Sequence, residues 1–289
     1  MMRVLVVTKL TALELLHEDP SPGAQRMLSL VEKNHPSVSG IRPAHEEHAA
    51  SLAQVRALLK DRGIKYHLRT WYPRRPIRNV DAVITVGGDG MVLGVSHVIR
   101  DETPVLGVNS APSFSVGYLT GATAANLGEV LDQLKTEQIA PRIVHRLKVR
   151  MGPRVLGGPV LNDVLFCTDN PAVMCRYRLR WPDGVELQRS SGLWVSTPAG
   201  STSALASAGG PILPLAAKQF AFQVREPYAP PGAAVRYKSA VLQNEELTIE
   251  NRSQHASVYL DGSHRRYSVP FGETLTVSLH EQPLCLVRP

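Results

Sequence analysis

The chain lacks any run of about 18 apolar residues, the length a helix needs to cross a bilayer, so no membrane-spanning helix is expected. Cysteine is scarce: Cys167, Cys175 and Cys285 are the full set in 289 residues, and their spacing fits no metal-binding pattern. The opening residues, 1–8, are too short for an export signal and read as a first strand. With that start, an odd cysteine count points to reduced thiols and a cytoplasmic setting. No internal repeat is visible. The basic residues also lack an interleaved aromatic series: Arg74-Arg75, Arg176-Tyr177-Arg178-Leu179-Arg180 and Arg265-Arg266 are short, scattered groups. A formal charge of +7 therefore fits solvated faces and a polyanionic small substrate. Neither nucleic acid nor a membrane is expected as a partner.

What the chain does have is a β-branched apolar run, 80–86, that stops at Gly87-Gly88-Asp89-Gly90. This reads as a buried strand ending in a tight turn. Glycine there lets a ligand approach the backbone, and successive N–H groups can form an anion-binding concavity. Asp89 then stands at the carboxyl end of a strand, where open α/β sheets bind ligands. A second stretch, the strand 193–197 followed by 198–210, is almost entirely small or hydroxyl side chains. Pro198 and Gly200 make a turn, Ser201 or Thr202 can cap, and a short helix ends at glycine. The bland readings are an Asp-Gly turn for the first and a serine-rich linker for the second.

At 43% hydrophobic, the chain can bury one large core or two ordinary ones. Its organisation changes near residue 122. The spacing predicts a strand at 3–8, a helix near 45–61, a strand at 80–86, a helix at 91–100 and a strand at 104–108, the βαβ pattern of a parallel sheet. Residues 18–43 look like a loop containing one short helix, and 123–136 like a further helix. Beyond about 142, short alternating strands between Gly, Pro and Asp turns suggest a β-rich, sandwich-like second domain.

These segments, with Leu161-Asn162-Asp163-Val164-Leu165 between them, resemble the NAD kinase family, and within it the plant-type NADH kinase branch. Matching motifs run in order: Thr85 to Gly90, Ser96-His97, Pro104 to Ser110, Ser190-Ser191-Gly192-Leu193, Val224-Arg225-Glu226-Pro227 and Tyr259-Leu260-Asp261-Gly262. The resemblance implies an N-terminal Rossmann-like α/β domain, 1–122, completed by a returning segment, 275–289, and a β-rich dinucleotide-binding domain, 123–274. It implies ATP-dependent phosphorylation of the ribose 2′-hydroxyl of NAD or NADH, magnesium arriving with ATP, and a homodimer or higher homo-oligomer. Asp89 is the expected catalytic group, orienting the acceptor hydroxyl and taking its proton. Gly88 and Gly90 give backbone access to phosphates. Asn162 suits an adenine edge, and Asp163 can accept ribose hydroxyls. Ser191, Thr202, Ser203, Ala204, Ser207 and Ala229 complete the expected dinucleotide site, with Ala229 at the nicotinamide end. No protein-borne metal site is expected.

Three departures from the commoner bacterial pattern stand out. Ser191 replaces an aspartate, Ala204 follows where Thr-Ala-Tyr is usual so the tyrosine is absent, and Met91 replaces threonine. The first two match the plant branch and Met91 matches neither. His97 is expected as a half-buried helix residue, and Asp261-Gly262 as a hairpin turn. Two other readings compete: a lipid kinase of the diacylglycerol or sphingosine type, or phosphofructokinase, with the same glycine turn, and a non-catalytic NAD-binding regulator. Asp89 argues against the regulator, and the 162–163 and 198–210 segments argue against the lipid kinases.

Overall fold

The computed structural model describes residues 3–70 and 76–288. Arg74-Arg75 and the opening methionines lie outside the described residues. The chain divides into two compact units, Met1–Arg142 with Cys285–Pro289, and Ile143–Leu284.

The first unit is built on parallel strands in the order Lys65–Thr70, Arg3–Thr8, Ala82–Gly87, Val105–Asn109, Leu284–Val287. Ala82–Gly87 and Val105–Asn109 are buried at every position, which explains their unbroken apolar sequences. The strand order reverses between Arg3–Thr8 and Ala82–Gly87, and such a switch point opens a crevice at the strands' carboxyl ends. The Gly-Gly-Asp-Gly segment follows Ala82–Gly87 and so stands at that crevice. Helix Ile41–Asp61 buries Val55 and Leu59, and helix Leu127–Lys135 buries Leu127, Val130 and Leu131, in one core with Val6, Ile84 and Val108.

Residues 18–43, expected as a loop with one short helix, hold more regular structure than that. They hold helix Pro22–Glu32, capped by Ser21, and a short 3₁₀ turn at Pro36–Val38. Serine before proline is a helix start signal as well as a loop signal, and here it is the former. Leu13, Val31 and Val38 form a small apolar cluster beneath it.

The second unit contains two antiparallel six-stranded sheets. One runs Gly184–Ser190, Cys175–Trp181, Leu247–Asn251, Thr274–Leu279, Leu147–Met151, Arg154–Val155; the other runs Ser239–Leu242, Phe220–Arg225, Gly192–Ser196, Asp163–Thr168, Ala256–Leu260, Arg266–Val269. Their inner faces share one core that includes Phe166, Tyr177, Leu193, Phe220 and Ile249, all fully buried. Cys175–Trp181 shows the logic: Cys175, Tyr177, Leu179 and Trp181 point inward, while Arg176, Arg178 and Arg180 point out.

The units change over at 142/143 and 284/285, not near 122/123 and 274/275. Helix Leu127–Lys135 packs in the first core, and Thr274–Leu279 pairs on both sides within the sandwich. The returning segment of the first unit is therefore a single strand. Gly121 lets it dock: a Cβ there would lie 2.2 Å from the Val287 carbonyl oxygen. Gly121→Ala is expected to destabilise the first unit by about 1–3 kcal/mol, the usual range for overpacking. Urea unfolding measures this, and an unchanged midpoint would show that the last strand tolerates displacement.

Candidate active site

In the first unit, helix Asp89–Ser96 begins directly after the glycine pair, with Gly88 as its N-cap. The helix thus starts two residues before the expected 91 and ends at Ser96. Gly88 has extended backbone, and none of the motif's glycines has positive φ. Glycine is required here by close packing, not by left-handed backbone. A Cβ on Gly87 would lie 2.4 Å from Met91 Cγ, and one on Gly88 would lie 3.0 Å from Ser115 Oγ. Met91 is buried beneath the turn, so the residue that replaces threonine serves the core.

Asp89 is half-buried, and its carboxylate is already engaged. Oδ2 accepts from the Tyr118 N–H at 2.9 Å, and Oδ1 from the Leu119 N–H at 2.6 Å. A carboxylate has about four acceptor positions, so two remain for a substrate hydroxyl. The loop around 110–120 is held elsewhere too: Asn109 donates to the Ser115 carbonyl, and the Ser110 N–H donates to the Gly87 carbonyl. His48 is buried behind these contacts, with Nε2 3.2 Å from Thr8 Oγ1 and Nδ1 2.7 Å from Ser110 Oγ. Burial, then the nearby Lys9 cation, holds its ring below the usual imidazole range. His97 closes the helix and is buried, not half-buried.

In the second unit, three separate motifs interlock. The Asp261 carboxylate accepts from the backbone N–H groups of Leu161, Asn162 and Asp163 at 2.9, 2.7 and 3.1 Å. The Asp261 N–H returns a bond to the Asp163 carbonyl at 2.9 Å. From the other side, the Thr197 N–H and the Ser196 hydroxyl donate to the Asn162 carbonyl, and the Thr197 hydroxyl to the Leu161 carbonyl at 2.5 Å. Gly200 lies against the same segment, where a Cβ would come within 2.4 Å of the Asn162 oxygen. Asp261 was expected only in a turn; it has left-handed backbone, φ 50°, and clamps the Asn-Asp pair as well.

The clamp leaves two side-chain groups available. The Asn162 amide oxygen is buried without a hydrogen-bond partner among the described residues. Such a group costs free energy until a donor reaches it. Asp163 is buried, and desolvation, with the Asp261 carboxylate adding to it, raises its pKa to about 7. The following turn differs from the expected cap: Gly200 is the N-cap, and Ser201 is buried, donating to the Pro198 carbonyl and accepting from the Leu213 N–H. Ser203 breaks the helix with φ −98° and ψ −124°. Thr202, Ser203 and Ser207 are exposed and Ala204 half-buried.

Comparison with known proteins now decides the family. Residues 30–139 match the ATP-NAD kinase N-terminal domain model. A probable NADH kinase of Oryza sativa is 35% identical over 236 residues, covering 74% of this chain and 73% of the rice protein. The NADH kinase of Arabidopsis thaliana is 32% identical over 288 residues, with 90% and 89% covered. The chain belongs to the NAD kinase family. Yeast NADH kinase, crystallised with NADH, superposes with a TM-score of 0.68 at 16% identity, covering 100% of this chain and 84% of that one, and so shares the fold.

Within one chain the expected site residues fall into two sets. Asn162, Asp163 and the 200–207 turn are together. Ser196 pairs with Asp163 across the sheet, so Ser191 lies at the far end of Gly192–Ser196, about 17 Å away at about 3.3 Å per residue. Ser191 donates its N–H to the Arg225 carbonyl, and Tyr228, beside Ala229, donates to the Arg189 carbonyl, so Ser191 and Ala229 belong to that second set.

The Asp163 shift makes a stability prediction. Its folded pKa of about 7 stands above the ordinary 3.8, so between those values the folded state binds more protons than the unfolded. Stability therefore falls as pH rises across that window. Asp163→Asn removes the penalty and is expected to stabilise the free protein by about 2–4 kcal/mol at pH 8, with no gain at pH 3.5. Urea unfolding at the two pH values checks this; equal effects would place the carboxylate in contact with water.

Proposed function

We propose that the chain is an ATP-dependent NAD(H) kinase that transfers the terminal phosphoryl group of ATP to the ribose 2′-hydroxyl of NAD and NADH. The observation that carries this reading is the interlocked 161–163, 196–200 and 261 segment, which leaves one buried amide oxygen and one buried carboxyl available. An adenine exocyclic amine supplies the donor that Asn162 lacks, and ribose hydroxyls suit Asp163. That pair, with family membership, favours a dinucleotide over a lipid; the position of Asp89 at the switch point favours a kinase over a non-catalytic binding protein.

Asp89 is the residue assigned to the acceptor hydroxyl. Its two amide bonds fix the carboxylate, and its remaining lone pairs orient the hydroxyl toward the phosphorus and receive its proton. The transition state of phosphoryl transfer is loose, so the proton can leave late and positioning outweighs basicity. Gly88 and Gly90 and the start of helix Asp89–Ser96 admit phosphates to the backbone. Magnesium enters this reading as an ion carried by ATP. Magnesium is commonly bound by substrate phosphates and one or two carboxylates, where it neutralises charge on the transferred group. Asp89 is the carboxylate that would share it.

A cytoplasmic homodimer or higher homo-oligomer is part of this reading. The separation of Ser191 and Ala229 from Asn162 and Asp163 within one chain supports it, since a second copy can bring the two sets to one dinucleotide.

A coupled assay for 2′-phosphorylated product, with NAD and NADH each tested against ATP, checks the activity. Asp89→Asn is expected to lower turnover by roughly 10²–10⁴. One amide of the 118–119 pair also loses its acceptor, costing about 1–2 kcal/mol of stability. Turnover above about a third of wild type would remove Asp89 from the chemistry.

The same assay addresses redox preference. Oxidised nicotinamide carries a positive charge and the reduced ring does not, so a nearby carboxylate favours NAD. Ser191 supplies no such charge, and NADH is expected to be used at least comparably to NAD. Ser191→Asp is expected to raise the ratio of NAD to NADH efficiency about tenfold, the effect of roughly 1–2 kcal/mol of charge attraction. A flat ratio would shift the explanation to pocket shape at Ala204 and Ala229.

A further inference from the structure

One end of the sandwich carries a hollow of about 590 Å³ whose walls include Val173, Met174, Phe271, Arg176, Arg252 and His255. It lies at the Thr168 end of Asp163–Thr168, the opposite end from the Asn162-Asp163 pair. Three loops form it, each pinned by a polar side chain. Thr168 donates to the carbonyls of Asn170 and Val173, fixing the first loop. The fully buried Asn251 amide donates to the carbonyls of Ser253, Val269 and Pro270, fixing the other two.

On these pinned loops Val173, Met174 and Phe271 are 51%, 40% and 62% exposed. Apolar side chains clustered on a fixed, concave surface mark a binding site more often than chance exposure does. The charged side chains that line the hollow are cationic, with Glu250 and Asp169 next to them. Arg176 and His255 make no ion pair among the described residues, and Arg252 pairs with Glu250, which Arg178 shares, while its Nε is buried without an acceptor. A second copy of the same face would bring these cations together, so self-association is disfavoured.

We infer that this hollow binds a monomeric anionic amphiphile, a chain of about a dozen carbons with a carboxylate or phosphate head. The head meets Arg176 and the Arg252 edge, and the chain lies over Val173, Met174 and Phe271. The volume of about 590 Å³ falls within the usual range of small-molecule sites. The hollow shares no residue with the proposed kinase site, but it opens at the end of the sheet where Ser191 lies, and Arg176 stands opposite Arg189, so binding is measured without dinucleotide or ATP.

Dodecanoate, used below its micelle concentration, is the probe. Calorimetry on the full chain is expected to show one saturable site, with dodecanol, equal in chain and lacking charge, binding at least tenfold more weakly. Arg176→Glu and Phe271→Asp are each expected to weaken dodecanoate at least tenfold, and Phe271→Asp is expected to leave turnover in its absence unchanged. Dodecyl phosphate should bind like dodecanoate. No saturable binding, equal binding of the alcohol, or full affinity in Arg176→Glu would overturn the inference. Binding to vesicles containing phosphatidylglycerol without binding of free dodecanoate would overturn it too, since the surface would then recognise a bilayer.

Discussion

The Asp261 carboxylate is the contact on which the candidate site of the second unit depends. Three consecutive backbone N–H groups, from Leu161 to Asp163, converge on it. Consecutive donors cannot all point one way in a regular strand, so the carboxylate imposes the irregular backbone that turns the Asn162 oxygen and the Asp163 carboxyl away from the ladder. Charged acceptors make the stronger hydrogen bonds, and three of them oppose the cost of burying two polar side chains beside one another. The 196–200 segment then closes on the same backbone, and Gly200 permits the approach. Ligand-binding groups are thus held before any ligand arrives, which limits the ordering cost of binding.

A parallel arrangement governs the first unit. Asp89 is the proposed chemical group, and the structure shows that it is a brace, because its two oxygens hold the 118–119 amides. A residue with both duties resists replacement even by its amide. Asparagine keeps the shape, yet it offers one acceptor where two are used and turns an N–H₂ toward an N–H.

Much of the fold was open to inspection in the sequence. The apolar runs at 80–86 and 104–108 announced strands of a parallel sheet, and the short alternating segments beyond about 142 announced a β-rich second unit. Glycine and aspartate at the strand end located Asp89. What stayed hidden was nonlocal. Asp261 lies about a hundred positions from the amides it holds, and an Asp-Gly pair reads equally well as an ordinary turn. The Ser21-Pro22 start was hidden for a different reason: serine, proline and glycine mark loops and helix starts alike, and only packing of Leu13, Val31 and Val38 separates them. The distance of Ser191 from Asp163 follows from strand register, which no single segment encodes.

The strand Leu284–Val287 sits inside the parallel sheet, against Val105–Asn109. Protein synthesis is vectorial, so Val105–Asn109 is made long before Leu284–Val287, and until then its first residues lack that neighbour, although Ala122–Thr123 already pairs with its last ones. An unpaired flank of that kind is a template for pairing with other chains. The sandwich has every one of its strands before Leu284–Val287 is made and can consolidate first. Maturation therefore runs from the middle outward: the sandwich is finished early, and the unit whose first strand is made first is completed only afterwards.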